Sequence, residues 1–177
     1  GFAAASAGDI DGDGVPDVAA GAPNTDKGSS NFGAVYVIQL TSEGTAKVTT
    51  EISEPLFGNR NDRLGYSVAA IGDLDGNGVT ELAIGSPGDD AVSIYYLQAD
   101  GTVNSTLTRT ITGNSVNAAN GDYFGSSVAF AGDIDGDGVG DLAVGAFLDD
   151  TNGTRRGAVH ILLLNSNGSV KSSTKIA

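Results

Sequence analysis

Four aspartates lie within nine residues at 9–17, in the sequence DIDGDGVPD, and near-copies recur as DLDGNGVTE at 73–81 and DIDGDGVGD at 133–141. Two unit charges about 4 Å apart repel by on the order of 4 kcal/mol at an effective dielectric of about 20. Carboxylates at this spacing therefore need either full solvation or a bound cation. One copy is compatible with a solvated acidic turn, but three matched copies favour a cation.

Each acidic loop, numbered from its first aspartate as position 1, offers side-chain oxygens at positions 1, 3, 5 and 9. Hard oxygen ligands at alternating positions suit calcium, which takes about six to eight oxygens and tolerates irregular geometry, whereas magnesium prefers a regular octahedron. Position 7 is valine, which can contribute only its backbone carbonyl, and glycine at position 6 permits a sharp turn around the ion. The predicted ligands of three Ca²⁺ sites, one per loop, are Asp9, Asp11, Asp13, Val15 and Asp17; Asp73, Asp75, Asn77, Val79 and Glu81; and Asp133, Asp135, Asp137, Val139 and Asp141.

The opening of each loop also matches an EF-hand loop, which is the alternative reading of this motif. That reading fails at position 12, where Ala20, Ile84 or Val144 replaces the expected glutamate, and strands are predicted on both sides of the loop. The second loop differs from the others because Asn77 replaces an aspartate and Glu81 is longer than Asp17. One fewer formal charge predicts weaker cation binding there.

The acidic loops belong to a larger unit that occurs three times, with spacings near 60 residues. A small-residue strand precedes each loop, a short apolar strand follows it, and a third strand leads through a polar turn to a fourth. Such a repeat predicts an all-β fold of four-stranded antiparallel meanders without helices. We predict a β-propeller segment over 1–177, with blades at about 1–53, 64–111 and 124–177, and a β-sandwich of hairpins as the alternative.

Two stretches carry a family resemblance: FGSSVAFAGDIDGDGVGDLAVGA at 124–146 and GDIDGDGVPDVAAGAP at 8–23. They resemble the FG-GAP repeats of the integrin α-subunit propeller and of many bacterial surface proteins, and the resemblance covers essentially the whole chain. It implies calcium between the first two strands of each blade and a closed ring of about seven blades. The sequence departs from the pattern with only three repeats, no FG before the first loop, and Phe147 where Pro23 and Pro87 stand.

The resemblance implies a calcium-binding extracellular or cell-surface module for adhesion or for recognition of a protein or glycan, and not an enzyme. The alternatives are a non-catalytic propeller part of a secreted hydrolase or lyase, and a structural spacer in a large adhesin. A formal net charge of −13 argues against nucleic acid and anionic membranes as partners. No apolar run is long enough to predict membrane insertion, and the absence of cysteine excludes disulfides and thiolate metal sites.

We interpret the other notable polar residues as structural rather than catalytic. The paired acids Asp89–Asp90 and Asp149–Asp150 are interpreted as solvated loop residues, and His160, the only histidine, as a surface or interblade packing residue. The long connections at 22–32, 53–63, 112–123 and 146–156 are predicted to lie at the end of the blades opposite to the acidic loops, where long loops often carry binding function. Five of the nine cationic residues lie on them: Lys27, Arg60, Arg63, Arg155 and Arg156.

Three blades span less than half of a seven-bladed ring, so an apolar blade face is expected to be open at each end of the chain. Exposed apolar patches drive association. We expect these faces to be covered by a second copy, which would close a six-bladed ring, or by the remaining blades of a longer chain.

Overall fold

Three four-stranded antiparallel sheets follow one another along the chain in a computed structural model that describes residues 1–26, 31–53 and 61–177. Each sheet is a meander in which consecutive strands pair. The strands of the first sheet are β1 (Ala3–Gly8), β2 (Asp17–Gly21), β3 (Val35–Leu40) and β4 (Ala46–Ile52). Those of the second are β5 (Ser67–Ala70), β6 (Leu82–Ser86), β7 (Ala91–Tyr95) and β8 (Arg109–Thr112). The third sheet contains β9 (Phe124–Gly132), β10 (Asp141–Ala146), β11 (Ala158–Leu164) and β12 (Val170–Ile176).

The three sheets stack in chain order, and the first strands are neighbours, with β5 between β1 and β9. One hydrophobic cluster joins the first and second sheets through residues such as Val37 and Ile84. A second cluster joins the second and third sheets through residues such as Ile94 and Leu142. Consecutive meanders whose first strands lie side by side are the arrangement of propeller blades, so the predicted all-β propeller architecture is confirmed.

Burial differs between the middle blade and its neighbours. Every residue of β6 and β7 is buried, because the second sheet is covered on both faces. In β2 and β3, buried and half-buried residues alternate, since only one face of the first sheet meets another sheet. The apolar run in the second repeat and the alternation in the first are therefore consequences of position in the stack.

Glycines permit the close approach of neighbouring blades. A Cβ atom on Gly21, at the end of β2, would overlap the carbonyl oxygen of Gly65 in the next repeat. A Cβ atom on Gly85, at the matching place in β6, would overlap the carbonyl oxygen of Gly125. Ser67 adds a hydrogen bond across the second of these contacts, from its hydroxyl to the Gly125 carbonyl oxygen at 2.8 Å. At each seam between blades, a glycine near the end of a second strand (Gly21 or Gly85) thus meets a glycine at the start of the next blade (Gly65 or Gly125).

The second repeat departs from the predicted elements in two places. The Thr-rich segment 103–111 has the composition of a fourth strand, but β8 begins at Arg109, because the chain turns at Asn104, whose carbonyl accepts the Leu107 amide at 3.1 Å. Val103 forms only an isolated bridge with Leu97. A four-residue 3₁₀ helix, Gly113–Val116, then follows β8, so the expectation of no helix was wrong for this segment.

Within the described ranges, no helix has the length and apolar character needed to cross a membrane.

We expect Gly85→Ala to lower the free energy of unfolding by about 2–3 kcal/mol, because the new methyl group meets the fixed backbone of Gly125 in the next blade. Gly145→Ala, measured at a concentration at which the chain is monomeric, is the matched control: Gly145 holds the same place in β10, and within one chain its added methyl would meet the movable Ser127 hydroxyl instead of another blade. Urea denaturation of the two variants measures the difference. Equal losses would show that the seam does not depend on this backbone contact.

Candidate metal centres

The first aspartate of each acidic loop folds the loop back on itself. In all three loops one carboxylate oxygen of position 1 accepts the amide of the position 6 glycine at 2.8 Å. The other oxygen accepts the amide of position 5 at 3.0–3.1 Å. The position 6 glycines have φ of 86° to 88°, in the left-handed region that glycine adopts without strain. Carboxylate and glycine together fix the same turn three times.

The acid at position 9 is buried in all three loops, and in the first and third loops it joins the loop to the third strand of its blade. Asp17 accepts the amides of Ile10 and Leu40, both at 2.9 Å. Asp141 makes the equivalent bonds in the third loop, from Ile134 at 2.7 Å and Leu164 at 3.0 Å. Both oxygens of these two carboxylates are therefore occupied by backbone amides. Their predicted contribution as metal ligands would come in addition to this structural role.

Three carboxylates converge in each loop, with one ligand oxygen from each lying within 4.8 Å of the others. Positions 1 and 3 belong to the cluster in every loop, whereas the third member is position 5 in the first loop and position 9 in the other two. The predicted Val15, Val79 and Val139 lie in the same turns, and their role as carbonyl ligands stays a prediction. The clustered residues are Asp9, Asp11 and Asp13; Asp73, Asp75 and Glu81; and Asp133, Asp135 and Asp141.

Glu81 shows that a hard cation fits the second loop. Its side chain is fully buried, and one carboxylate oxygen accepts the Leu74 amide at 2.5 Å. The other oxygen, Oε1, is buried without a hydrogen-bond partner among the described residues. A buried carboxylate oxygen without a partner is costly, and a divalent cation held by Glu81, Asp73 and Asp75 would satisfy it. The all-oxygen donor set matches the preference of calcium.

The same burial changes the protonation of Glu81. The pKa of its carboxyl is raised to about 7, mainly by burial, with the charges of Asp75 and Asp73 adding to the effect. Loss of the Glu81 proton at neutral pH therefore leaves three negative charges close together. A bound cation would favour the ionised form and oppose this shift.

Lysines, which the sequence analysis did not identify, reach into the first and third loops. Lys47 Nζ lies 2.5 Å from Asp11 Oδ2 and 2.7 Å from Asp13 Oδ2. Lys171 Nζ lies 2.7 Å from Asp135 Oδ2 and 2.8 Å from Asp137 Oδ2. Hydrogen bonds from the lysines are the main reason that the pKa values of the position 5 carboxyls are lowered.

Among the described residues, no lysine forms an ion pair with the second loop. Asn104 stands where Lys47 and Lys171 stand in the other repeats, and Asn77 stands in place of the position 5 aspartate. Asn77 instead donates from Nδ2 to the Leu97 carbonyl at 2.9 Å. With the lysines included, each loop carries the same net formal charge of −3. The prediction of weaker cation binding at the second site considered only the charges within the loops. Once the lysines are included, net charge no longer distinguishes the three sites.

Of the paired acids following β6 and β10, Asp90 and Asp149 are built into the structure rather than solvated, which corrects the interpretation of these two residues. Asp149 is buried and forms an ion pair with Lys175, although Asp150 is exposed. Asp90 accepts the amides of Gly121 at 2.7 Å and Phe124 at 3.1 Å, which tie the second blade to the start of the third. Asp90 therefore serves the contact between blades, and Asp149 pairs with a lysine of its own blade.

His160 is fully buried in β11. Its ring stands edge-on to Phe124, with the ring centroids 5.3 Å apart. Burial lowers the pKa of the imidazole. Of the two expected settings, the structure shows packing rather than surface exposure.

The cationic residues of the long connections are only partly described. Arg63 follows a segment outside the described residues, and Arg155 and Arg156 are exposed in the loop before β11. The predicted Lys27 and Arg60 lie outside the described residues. The lysine contacts place the acidic loops and the turns between third and fourth strands at one end of the blades, as the meander predicted.

Comparison with known families matches the FG-GAP repeat model at residues 1–38, 64–103 and 124–162. The chain belongs to the FG-GAP repeat family. Each of the three matches contains an acidic loop, and the two later ones begin at the glycine contacts of the blade seams. The FG-GAP motif thus contains both the acidic loop and a glycine of the contact between blades.

Related FG-GAP proteins include integrin alpha chains. The chain is 34% identical to human integrin alpha-6 over 144 residues, 80% of this chain and 12% of the relative. It is 34% identical to Xenopus laevis integrin alpha-4 over 155 residues, 84% and 14% of the two chains. Identity to Drosophila melanogaster integrin alpha-PS5 is 34% over 143 residues, 78% and 14%. The chain therefore spans less than a sixth of the length of these relatives.

Glu81→Gln should stabilise the protein in EDTA, by about 1–3 kcal/mol at pH 8 and by less at pH 5. The folded state holds the Glu81 proton more tightly than the unfolded chain, whose carboxyl titrates near its ordinary value of 4.5. The wild-type free energy of unfolding therefore falls as pH rises from about 4.5 to 7, and the neutral amide removes this loss.

Asp141→Asn is the matched variant at position 9 of the third loop. It should destabilise by about 2 kcal/mol at both pH values, because both oxygens of Asp141 accept backbone amides and an amide group can replace only one of them. Urea denaturation at the two pH values compares the variants. If Glu81→Gln lowers the free energy of unfolding at pH 8, the buried Glu81 carboxylate is not an unpaired charge.

Proposed function

We propose that the chain is a calcium-binding segment of an extracellular or cell-surface β-propeller, used for adhesion or for recognition of a protein or glycan. The observation that carries the calcium proposal is the buried Glu81 Oε1, which has no hydrogen-bond partner among the described residues and belongs to a cluster with Asp73 and Asp75. The same turn recurs in the other two loops. Each loop would hold one ion through its acids and the position 7 carbonyl.

Similarity to integrin alpha chains supports a role in adhesion or recognition rather than in catalysis. It also supports a location at the cell surface. In the described structure, Asp90 bonds to the next blade, Asp149 pairs with Lys175, and His160 packs on Phe124. The exposed Arg155 and Arg156 lie on a long connection opposite to the acidic loops. We propose this end of the blades as the ligand-binding surface, with calcium keeping the other end rigid.

Calcium should raise the melting temperature and EDTA should lower it. An ion that binds only the folded state stabilises it by about 2.7 kcal/mol per site when present at about 100 times its Kd. Asp135→Asn should lose part of the response, because Asp135 belongs to the third cluster, and among the described contacts its carboxylate bonds only to Lys171. Asp150→Asn, an exposed change outside the loops, serves as the control. A melting curve that is identical with and without EDTA would exclude structural calcium.

We also propose that another blade covers the outer face of the third sheet. Val159 and Ile176 are paired on that face and are 42% and 59% exposed. A cavity of about 390 Å³ lies beside Gly145, the position whose counterparts in the first two blades receive a glycine of the next blade. A second copy or further repeats would supply the covering blade.

Light scattering at micromolar concentration tests whether a second copy covers this face. A mass of twice 17.6 kDa is expected for a closed six-bladed ring. A monodisperse species of 17.6 kDa would leave only further repeats of a longer chain to cover it.

A further inference from the structure

Two of the three acidic loops already hold a cation that belongs to the chain. Lys47 and Lys171 each bridge the carboxylates of positions 3 and 5, with Nζ 2.5–2.8 Å from their Oδ2 atoms. Each lysine is the second residue of its fourth strand, and each stands 36 residues after its position 3 partner. The contact is therefore a repeated feature of the blade rather than a chance surface pair.

The lysine takes the oxygens that a metal ion would need. Oδ1 of Asp13 and of Asp137 already accepts the amide of the following valine at 2.9 Å. This leaves Oδ2, the atom that contacts the lysine, as the oxygen without a backbone bond. A calcium ion on the same oxygen would lie at about 2.3–2.6 Å from it, and so within about 5 Å of the ammonium group. Two cations this close repel each other, and the lysine must move away when the ion binds.

The second loop provides an internal comparison. The Leu97–Val103 bridge aligns Asn104 with the two lysines, since Val103 pairs with Leu97 as Val170 pairs with Leu164. Asn104 carries no charge, and its side chain accepts the Thr106 hydroxyl at 2.7 Å. The chain therefore has two loops that contain an ammonium group and one, with the unpartnered Glu81 Oε1, that does not.

We propose that Lys47 and Lys171 are built-in competitors of calcium in the first and third loops. Each ammonium group neutralises its loop when calcium is scarce and must be displaced when calcium binds, which raises the calcium concentration that these two loops require. Across residues 1–26, 31–53 and 61–177, no ion pair of this kind reaches the second loop. This inference rests on the proposed function, since it assumes that the loops bind calcium.

Calcium titration followed by ¹H–¹⁵N NMR resolves the three loops in one sample. The amides of Gly14, Gly78 and Gly138 each donate to the position 1 carboxylate of their own loop, so each reports the occupancy of that loop. Lys47→Gln should move the Gly14 midpoint to a calcium concentration about three- to thirtyfold lower, the range expected for two partly exposed ion pairs. The Gly78 and Gly138 midpoints should not change.

Three variants complete the test. Lys171→Gln should shift the Gly138 midpoint alone, and Lys47→Arg, which keeps the charge, should leave Gly14 close to its wild-type midpoint. Arg155→Gln makes the same change in net charge on an exposed loop outside the clusters, so it controls for the overall field.

The outcomes separate the inference from the function on which it rests. If calcium moves none of the three glycine signals in any variant, the proposed function fails. If calcium moves them but the lysine-to-glutamine variants shift Gly14 and Gly138 no more than Arg155→Gln does, or shift them to higher calcium, the competition is overturned while calcium binding stands.

Discussion

Repulsion among carboxylates packed into three short loops is the constraint on which the rest of the structure depends. Backbone amides offset part of this repulsion, because they donate hydrogen bonds to both carboxylate oxygens of every position 1 aspartate. Those bonds set the turn between the first two strands and so fix the register of each meander. What remains is a negative cluster at one end of each blade, which lysine neutralises in part in the first and third repeats. The loop is thus a folding element and a cation site at once.

The position 9 acid links this end of the blade to its core. Asp17 and Asp141 bind the last residue of the third strand, and that residue packs within the sheet. Farther along the blade, the glycines of neighbouring repeats meet at the seam, where no larger residue fits. Rigid loops and close seams together produce a scaffold whose opposite end can carry variable, exposed residues such as Arg155 and Arg156.

Local pattern predicted much of this fold. Alternating apolar residues and glycine-rich turns were sufficient for the strand order, because each meander is built from neighbours in sequence. The metal cluster was predicted for the same reason, since its candidate ligands lie within nine residues. Features that join residues far apart in the chain were not predicted from the sequence. Lys47 acts on a loop more than 30 residues earlier, although its recurrence as Lys171 at the same place in the repeat was a signal.

The burial of individual acidic side chains also could not be predicted from the local sequence pattern. Asp149 resembles an ordinary loop acid in sequence, yet it is buried and forms an ion pair with Lys175 in β12 of its own blade. Glu81 differs from Asp17 by one methylene group, and only the structure shows that the longer arm leaves an oxygen without a partner. The late start of β8 likewise follows from a turn at Asn104 that the strand-like composition of 103–111 conceals.

Anomalous diffraction from a crystal grown with calcium would show whether the three loops are calcium sites. We expect an anomalous peak in each loop, with oxygens of positions 1, 3, 5 and 9 and the position 7 carbonyl at about 2.3–2.6 Å from the ion. In the first and third loops, Lys47 and Lys171 should have turned away from the ion. Ordered water without an anomalous peak in all three loops would contradict the account.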